Sequence, residues 1–174
     1  MTTQAKVVPD FNPFFIPLRT EVPDYFSNNP LDHESSAHYF RGMNILVYAF
    51  EQKTEEKRAT ALSLSRTDEP WLISWQVVQE FCSVPRHRFA IPLDLEFLGD
   101  YLNLFLLPHC KVMPSAAIYQ KALQIQRETQ YRFHDSLIVA AALESGASIL
   151  YSENLQHDRS IGPLRIINPF LATP

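Results

Sequence analysis

Three short stretches place polar side chains where chemistry is expected. The run Phe133-His134-Asp135 sets an acid at the mouth of a helix whose small and apolar residues, Leu137 to Leu143, fill an inward face. Gly146 closes that helix, and Ile149-Leu150-Tyr151 follows as a short buried strand ending in Ser152, Glu153 and Asn154. Helix then strand is one unit of a parallel sheet, and ligands of such sheets collect beyond the carboxyl ends of the strands. Glu80 is a further candidate, late in an amphipathic segment that begins at Ile73. His134 invites a general-base role because imidazole titrates near neutral pH, but it reads better as a packing residue or a neighbour of phosphate. Each has a plainer use: Asp135 can satisfy free N–H groups and the dipole of its helix, Glu80 can be solvated, and Ser152 can only cap its strand.

The elements that must position these groups alternate. A strand is expected over about Phe40 to Tyr48, a helix over roughly Glu55 to Arg66, and a strand at Trp71-Leu72-Ile73. Ser74 then caps a helix through Glu80 to about Val84, stopped by Pro85. Pro92 and Asp94 introduce a helix whose Leu98, Tyr101, Leu102 and Phe105 repeat at helical spacing, so that face is core. His109 to Met113 reads as a strand, and Ser115 caps a helix to about Glu128 with Ile118, Ala122 and Ile125 on one side. The pattern gives an α/β fold with a mainly parallel sheet covered on both faces.

Composition bounds the rest. The chain has 174 residues, enough for one domain with its own core, 46% apolar and 20% charged residues, and a net charge of −4. That charge argues against a broad electrostatic nucleic-acid binder, while Arg86-His87-Arg88, Arg132, His134, His157 and Arg159 leave room for a local basic rim. No apolar run reaches the length of a membrane helix, no secretory leader is evident, and two cysteines make no disulfide framework, so a cytoplasmic protein is expected. Cys82 reads as a core thiol and Cys110 as a strand residue, neither of them a site. Trp71 and Trp75 read as core unless exposed, in which case they would be stacking platforms for bases. Residues 1–39 form an irregular arm rich in Pro and aromatics, Pro9, Pro13, Pro17, Pro23 and Pro30 among them, ahead of a domain spanning 40–174.

The Phe133–Gln156 segment resembles the C-terminal signature of PIN domains, especially the VapC-type ribonuclease toxins of toxin–antitoxin pairs. Asn44 to Phe50 resembles the family's opening strand, Ile73 to Phe81 its second acidic motif, and Leu164 to Phe170 its closing strand. The resemblance implies a three-layer PIN-like fold and a Mg²⁺- or Mn²⁺-dependent endoribonuclease acting on tRNA, rRNA or mRNA. It also implies a cognate antitoxin and a homodimer as partners. Metal and catalytic roles carry over to Glu80 and Asp135, with Asn154 at the fourth acidic position and Asn44, Ser152 and Glu153 in support. Gly42 stands where the family has its first aspartate, and Met43 where a hydroxyl residue is common. A glycine offers no ligand, so the resemblance implies a depleted metal site and weakened activity. A non-catalytic PIN fold that binds RNA or antitoxin, or the product of a degenerate toxin gene, is the alternative.

Overall fold

The computed structural model describes residues 39–51, 54–65, 70–84 and 94–171. The arm up to residue 38, the Arg86-His87-Arg88 run and the proline stops at Pro85 and Pro92 lie outside the described residues. The elements are β1 (Tyr39–Arg41), α1 (Met43–Tyr48), α2 (Glu55–Ser65), β2 (Trp71–Ser74), α3 (Trp75–Ser83) and α4 (Leu95–Tyr101). A π-helical turn (Leu102–Leu106) leads into α5 (Leu107–His109) and β3 (Cys110–Val112). The remainder is α6 (Ala116–Thr129), α7 (Phe133–Glu144), β4 (Ile149–Tyr151), β5 (Ser160–Ile161) and β6 (Leu164–Ile167).

The strands form one sheet in the order β3-β2-β1-β4-β6-β5, parallel throughout except for the β5–β6 hairpin at its edge. Helices flank the sheet, and the fold is the α/β arrangement expected. Phe40, Leu72 and Leu150 lie in neighbouring strands and are buried. On the opposite face Arg41 is 1% exposed, with its guanidinium 4.1 Å from the centre of the Trp71 ring and donating to Leu64 O.

One expectation fails at the first strand. The chain leaves the sheet after Arg41, and Asn44 to Tyr48, read as strand, is helix α1. Ile45 N–H closes the first turn onto Gly42 O at 3.2 Å. Ile45, Leu46 and Val47 are all buried, so this helix shows no polar stripe, and a short apolar run of this kind cannot be told from a buried strand by periodicity. Elsewhere local chemistry matches the reading. Ser115 accepts from Ile118 N–H and caps α6, Asp94 accepts from Phe97 N–H and caps α4, and Ile118, Ala122 and Ile125 are buried. Ser74 holds the N-cap position of α3 without donating or accepting a capping bond through its side chain.

The end of α7 is a Schellman closure. Ala147 N–H bonds Ala142 O and Gly146 N–H bonds Leu143 O, with Gly146 at φ +72°. This turn aims β4 back into the sheet beside β1. A Cβ at Gly146 would meet nothing within 4 Å, so Gly146→Ala isolates the backbone cost and should lower stability by about 1–2 kcal/mol in urea titration.

A second prediction concerns His109. Its ring stacks 3.6 Å from Trp71, and Nδ1 lies 2.7 Å from Phe105 O. Burial, more than the hydrogen bond to Phe105 O can offset, holds its pKa down to about 4, with the charges of Arg41 and Lys111 adding to the depression. The unfolded chain therefore takes up this proton first as pH falls. The contribution is complete above pH 6.5 and is lost between there and pH 4, amounting to roughly 3 kcal/mol. Urea midpoints measured across that window should fall more steeply for the wild type than for His109→Phe, which cannot charge.

Candidate functional site

β1 is the centre of the sheet, and the chain builds outward from it to β2 and β3 on one side before crossing to β4 on the other. The order reverses between β1 and β4, and the carboxyl edge at such a reversal is open, because the connections from the two strands leave in opposite directions. A cleft of about 200 Å³ lies there. Gly42, Met43 and Asn44 line it after β1, Gln76 and Glu80 from α3, His134, Asp135 and Ile138 from α7, and Ser152, Asn154 and Leu155 after β4.

Asp135 sits in the first turn of α7, where the free N–H groups favour a negative charge. Burial nonetheless raises its pKa, with the neighbouring charges of Arg132 and His134 pulling the other way. Glu80 is held by Gln76, whose Nε2 donates to Glu80 Oε1 at 2.8 Å and to His134 O at 3.2 Å. Gln76 thus ties α3 to the start of α7 and sets where Glu80 stands relative to Asp135. It was not singled out from sequence, although its i, i+4 relation to Glu80 is legible there. Asn44, Ser152 and Asn154 face the cleft.

Glu153 does not line the cleft. Its carboxylate accepts from Tyr48 Oη at 2.6 Å and pairs with Lys57 Nζ, which lies 4.7 Å from the Tyr48 ring centre. Phe170 meets Tyr48 edge-on at 4.9 Å, so α1, α2, the loop after β4 and the C-terminal turn are fastened together by one partly buried cluster. Lys57 and Tyr48 hold the Glu153 carboxyl below its ordinary pKa although burial opposes them.

At Gly42 the expected absence of a ligand has a steric counterpart. A Cβ there would lie 3.2 Å from Tyr151 O, a tight contact with backbone. Of the basic groups, Arg132 is exposed beside α7 and His134 lines the cleft. His157 Nδ1 accepts from Asn168 N–H, and Arg159 lies 5.0 Å over the Tyr131 ring, so these two serve local contacts. Trp71 is 6% exposed and belongs to the core, whereas Trp75 is only half-buried. Cys82, expected inside, is exposed, because α3 turns Val77 and Phe81 inward instead; Cys110 is in β3 as expected.

Among the described residues no group of three His, Cys, Asp or Glu side chains is placed to hold a metal ion together. The donors at the cleft are two carboxylates, Glu80 and Asp135, and the amide oxygens of Asn154 and Asn44. Such a set fits a hard divalent cation that keeps most of its own water, a role Mg²⁺ fills with one or two carboxylates. It does not supply the dense anionic cage of a tight site.

Fold and cleft together define an open parallel α/β domain with an acidic switch-point site. Residues 43–160 match the family model of the PIN domain, and the chain belongs to that family. Among proteins with curated descriptions none matches its sequence. Several solved structures share the fold. A toxin–antitoxin complex from Klebsiella pneumoniae is 17% identical over 77% of this chain and 98% of its own, with a TM-score of 0.54. FitAcB from Neisseria gonorrhoeae is 17% identical over 76% of this chain and 98% of its own, at 0.51. VapC20 from Mycobacterium tuberculosis, a toxin that cleaves the sarcin–ricin loop, is 17% identical over 66% of this chain and 88% of its own, also at 0.51.

The Lys57–Glu153 pair crosses from α2 to the loop that carries Asn154. A double-mutant cycle with Lys57→Met and Glu153→Gln should return a coupling of about 1 kcal/mol in denaturant titrations. Additive effects would mean that the pair does not fasten the loop.

Proposed function

We propose that this chain is a VapC-like PIN protein of the metal-dependent endoribonuclease type whose cation site is depleted and whose cleavage of RNA is weakened. The observation that carries the reading is the pairing of Glu80 and Asp135 across the switch-point cleft with Gly42 at the end of β1. Glu80, Asp135 and Asn154 would hold Mg²⁺ or Mn²⁺, with Asn44 and Ser152 in support and Glu153 acting indirectly through the loop. A divalent cation bound there would activate water and neutralise charge developing on a phosphate. The chain's own residues divide the remaining work. Gln76 fixes the Glu80 carboxylate, and the exposed Arg132 offers a cation to a phosphate approaching the first turn of α7.

The partners in this reading are RNA (tRNA, rRNA or mRNA), a cognate antitoxin and a second copy of the chain. The fold shared with the toxin–antitoxin complex from Klebsiella pneumoniae supports the antitoxin. No helix among the described residues is long and apolar enough to cross a membrane, and the proposed location is the cytoplasm. The crowding at Gly42 favours a second reading, a PIN fold that binds RNA or antitoxin without cutting, since its β1–β4 junction is closed around a residue with no side chain.

Calorimetry with Mn²⁺ separates the two. Saturable binding lost in both Glu80→Ala and Asp135→Ala supports the depleted nuclease, and absence of binding supports the non-catalytic fold. Gly42→Asp should tighten Mn²⁺ binding at least ~10-fold and raise Mn²⁺-dependent RNA cleavage, with Gly42→Ala reporting the steric cost alone. If Gly42→Asp folds and gains neither, the depleted-site account is wrong.

A further inference from the structure

Beside the cleft runs a series of rings that the metal chemistry does not use. Trp75 opens α3 immediately before Gln76, and Phe133 opens α7 immediately before His134, so two of the helices that line the cleft begin with an aromatic residue. Tyr119 of α6 joins them. Its ring centre lies 6.1 Å from that of Trp75 at an interplanar angle of 77°, and 6.4 Å from that of Phe133 at 6°. Phe133 in turn meets His134 at 6.0 Å. The contacts run from half-buried Trp75 through Tyr119, 40% exposed, and half-buried Phe133 to His134 on the lip of the cleft.

Core packing accounts for one side of Trp75 and Phe133, both of which touch the hydrophobic core. It does not account for the solvent-facing side of the series or for its direction toward the cleft. Partly exposed aromatic rings in succession, ending at a site with an exposed arginine beside it, are the parts from which proteins build stacking surfaces for nucleotide bases. Arg132 adjoins Phe133 and is exposed, which puts a cation for the backbone next to rings for the bases.

We propose that Trp75, Tyr119 and Phe133 form a base-stacking track that leads unpaired nucleotides to the cleft at His134 and Asp135. The proposal rests on the RNA reading above and adds the residues that hold bases apart from phosphates. The track does not depend on a bound cation. A protein partner on the same face, a second copy of this chain included, would cover Tyr119 and the neighbouring exposed Leu123 without any requirement for rings directed at the cleft.

The test is binding of a short fluorescent single-stranded oligoadenylate to the full chain in EDTA, read by anisotropy, beside an abasic ribose-phosphate strand of equal length. Tyr119→Ala removes an exposed ring, and Trp75→Phe keeps an aromatic ring in place while leaving buried Trp71 as the remaining indole. Expected are about tenfold weaker binding of the oligoadenylate by Tyr119→Ala, no change for the abasic strand, and quenching of tryptophan fluorescence that disappears in Trp75→Phe. Equal affinity for the two strands, unaltered by Tyr119→Ala, overturns the track while leaving an RNA-binding protein held by phosphate contacts. No binding of either strand by wild type overturns the RNA reading itself. A dimer in sedimentation that Tyr119→Ala dissociates, with oligoadenylate affinity unchanged, assigns this face to self-association and also overturns the proposal.

Discussion

The structure depends on a three-residue strand, Tyr39–Arg41, lying between two partners at once, with Tyr39 and Phe40 paired to β2 and all three residues paired to β4. Paired parallel to β2 and to β4, they fix the register of the sheet's two halves against each other. Gly42 N–H carries the β1–β4 ladder one step further by bonding Tyr151 O at 2.9 Å, and the chain then turns into α1. Everything that lines the cleft is measured from that step. Ser152 and Asn154 are placed by the end of β4, Asn44 by the turn after Gly42, and the α3 and α7 side chains by helices packed against the same strands. The residue type at position 42 therefore bears on both the cleft and the packing: a side chain there would enter the cleft's lining and would also press on the junction that holds the halves together.

Much of this was legible in the sequence because local signals agreed with tertiary ones. In the α7–β4 unit the small residues, the closing glycine and the buried triplet Ile149-Leu150-Tyr151 all favour one structure, and the observed bounds match. The α1 segment failed for the opposite reason. Asn44 to Tyr48 is apolar, rich in residues that suit strands, and buried nearly all round, so its pattern has no period to read. The β5–β6 hairpin also escaped notice, since β5 has only two residues. Its signal was Gly162-Pro163, with Gly162 at φ +56° between Ile161 and Leu164, a position that favours glycine.

At the site, sequence supplied which positions approach the cleft more readily than where their side chains point. Glu80, Asp135 and Asn154 were visible as positions at a helix face, a helix mouth and a strand end. Neighbouring Glu153 and Asn154 are expected from sequence to project in different directions, and they do: Lys57 and Tyr48 hold the glutamate, and Ser152 and Asn154 line the cleft. The alternation is local, whereas the partners that hold the glutamate lie far along the chain. Gln76 is an intermediate case. Its spacing to Glu80 was on view, whereas its second bond, to His134 O, required knowing that α3 and α7 begin side by side.

The direction of Glu153 also sets the electrostatics of the cleft. With that carboxylate paired to Lys57, the acids lining the cleft are Glu80 and Asp135, and burial raises the Asp135 pKa with Arg132 close enough to offset part of that rise. A cage of four carboxylates repels a polyanion until a divalent cation screens it, which makes cation binding a precondition for substrate. Two carboxylates beside an arginine impose a far smaller repulsion, and at an exposed lip salt reduces it further. Under the function proposed above, attraction of a nucleic-acid strand and capture of a cation would be separable properties, governed by different residues of the same cleft.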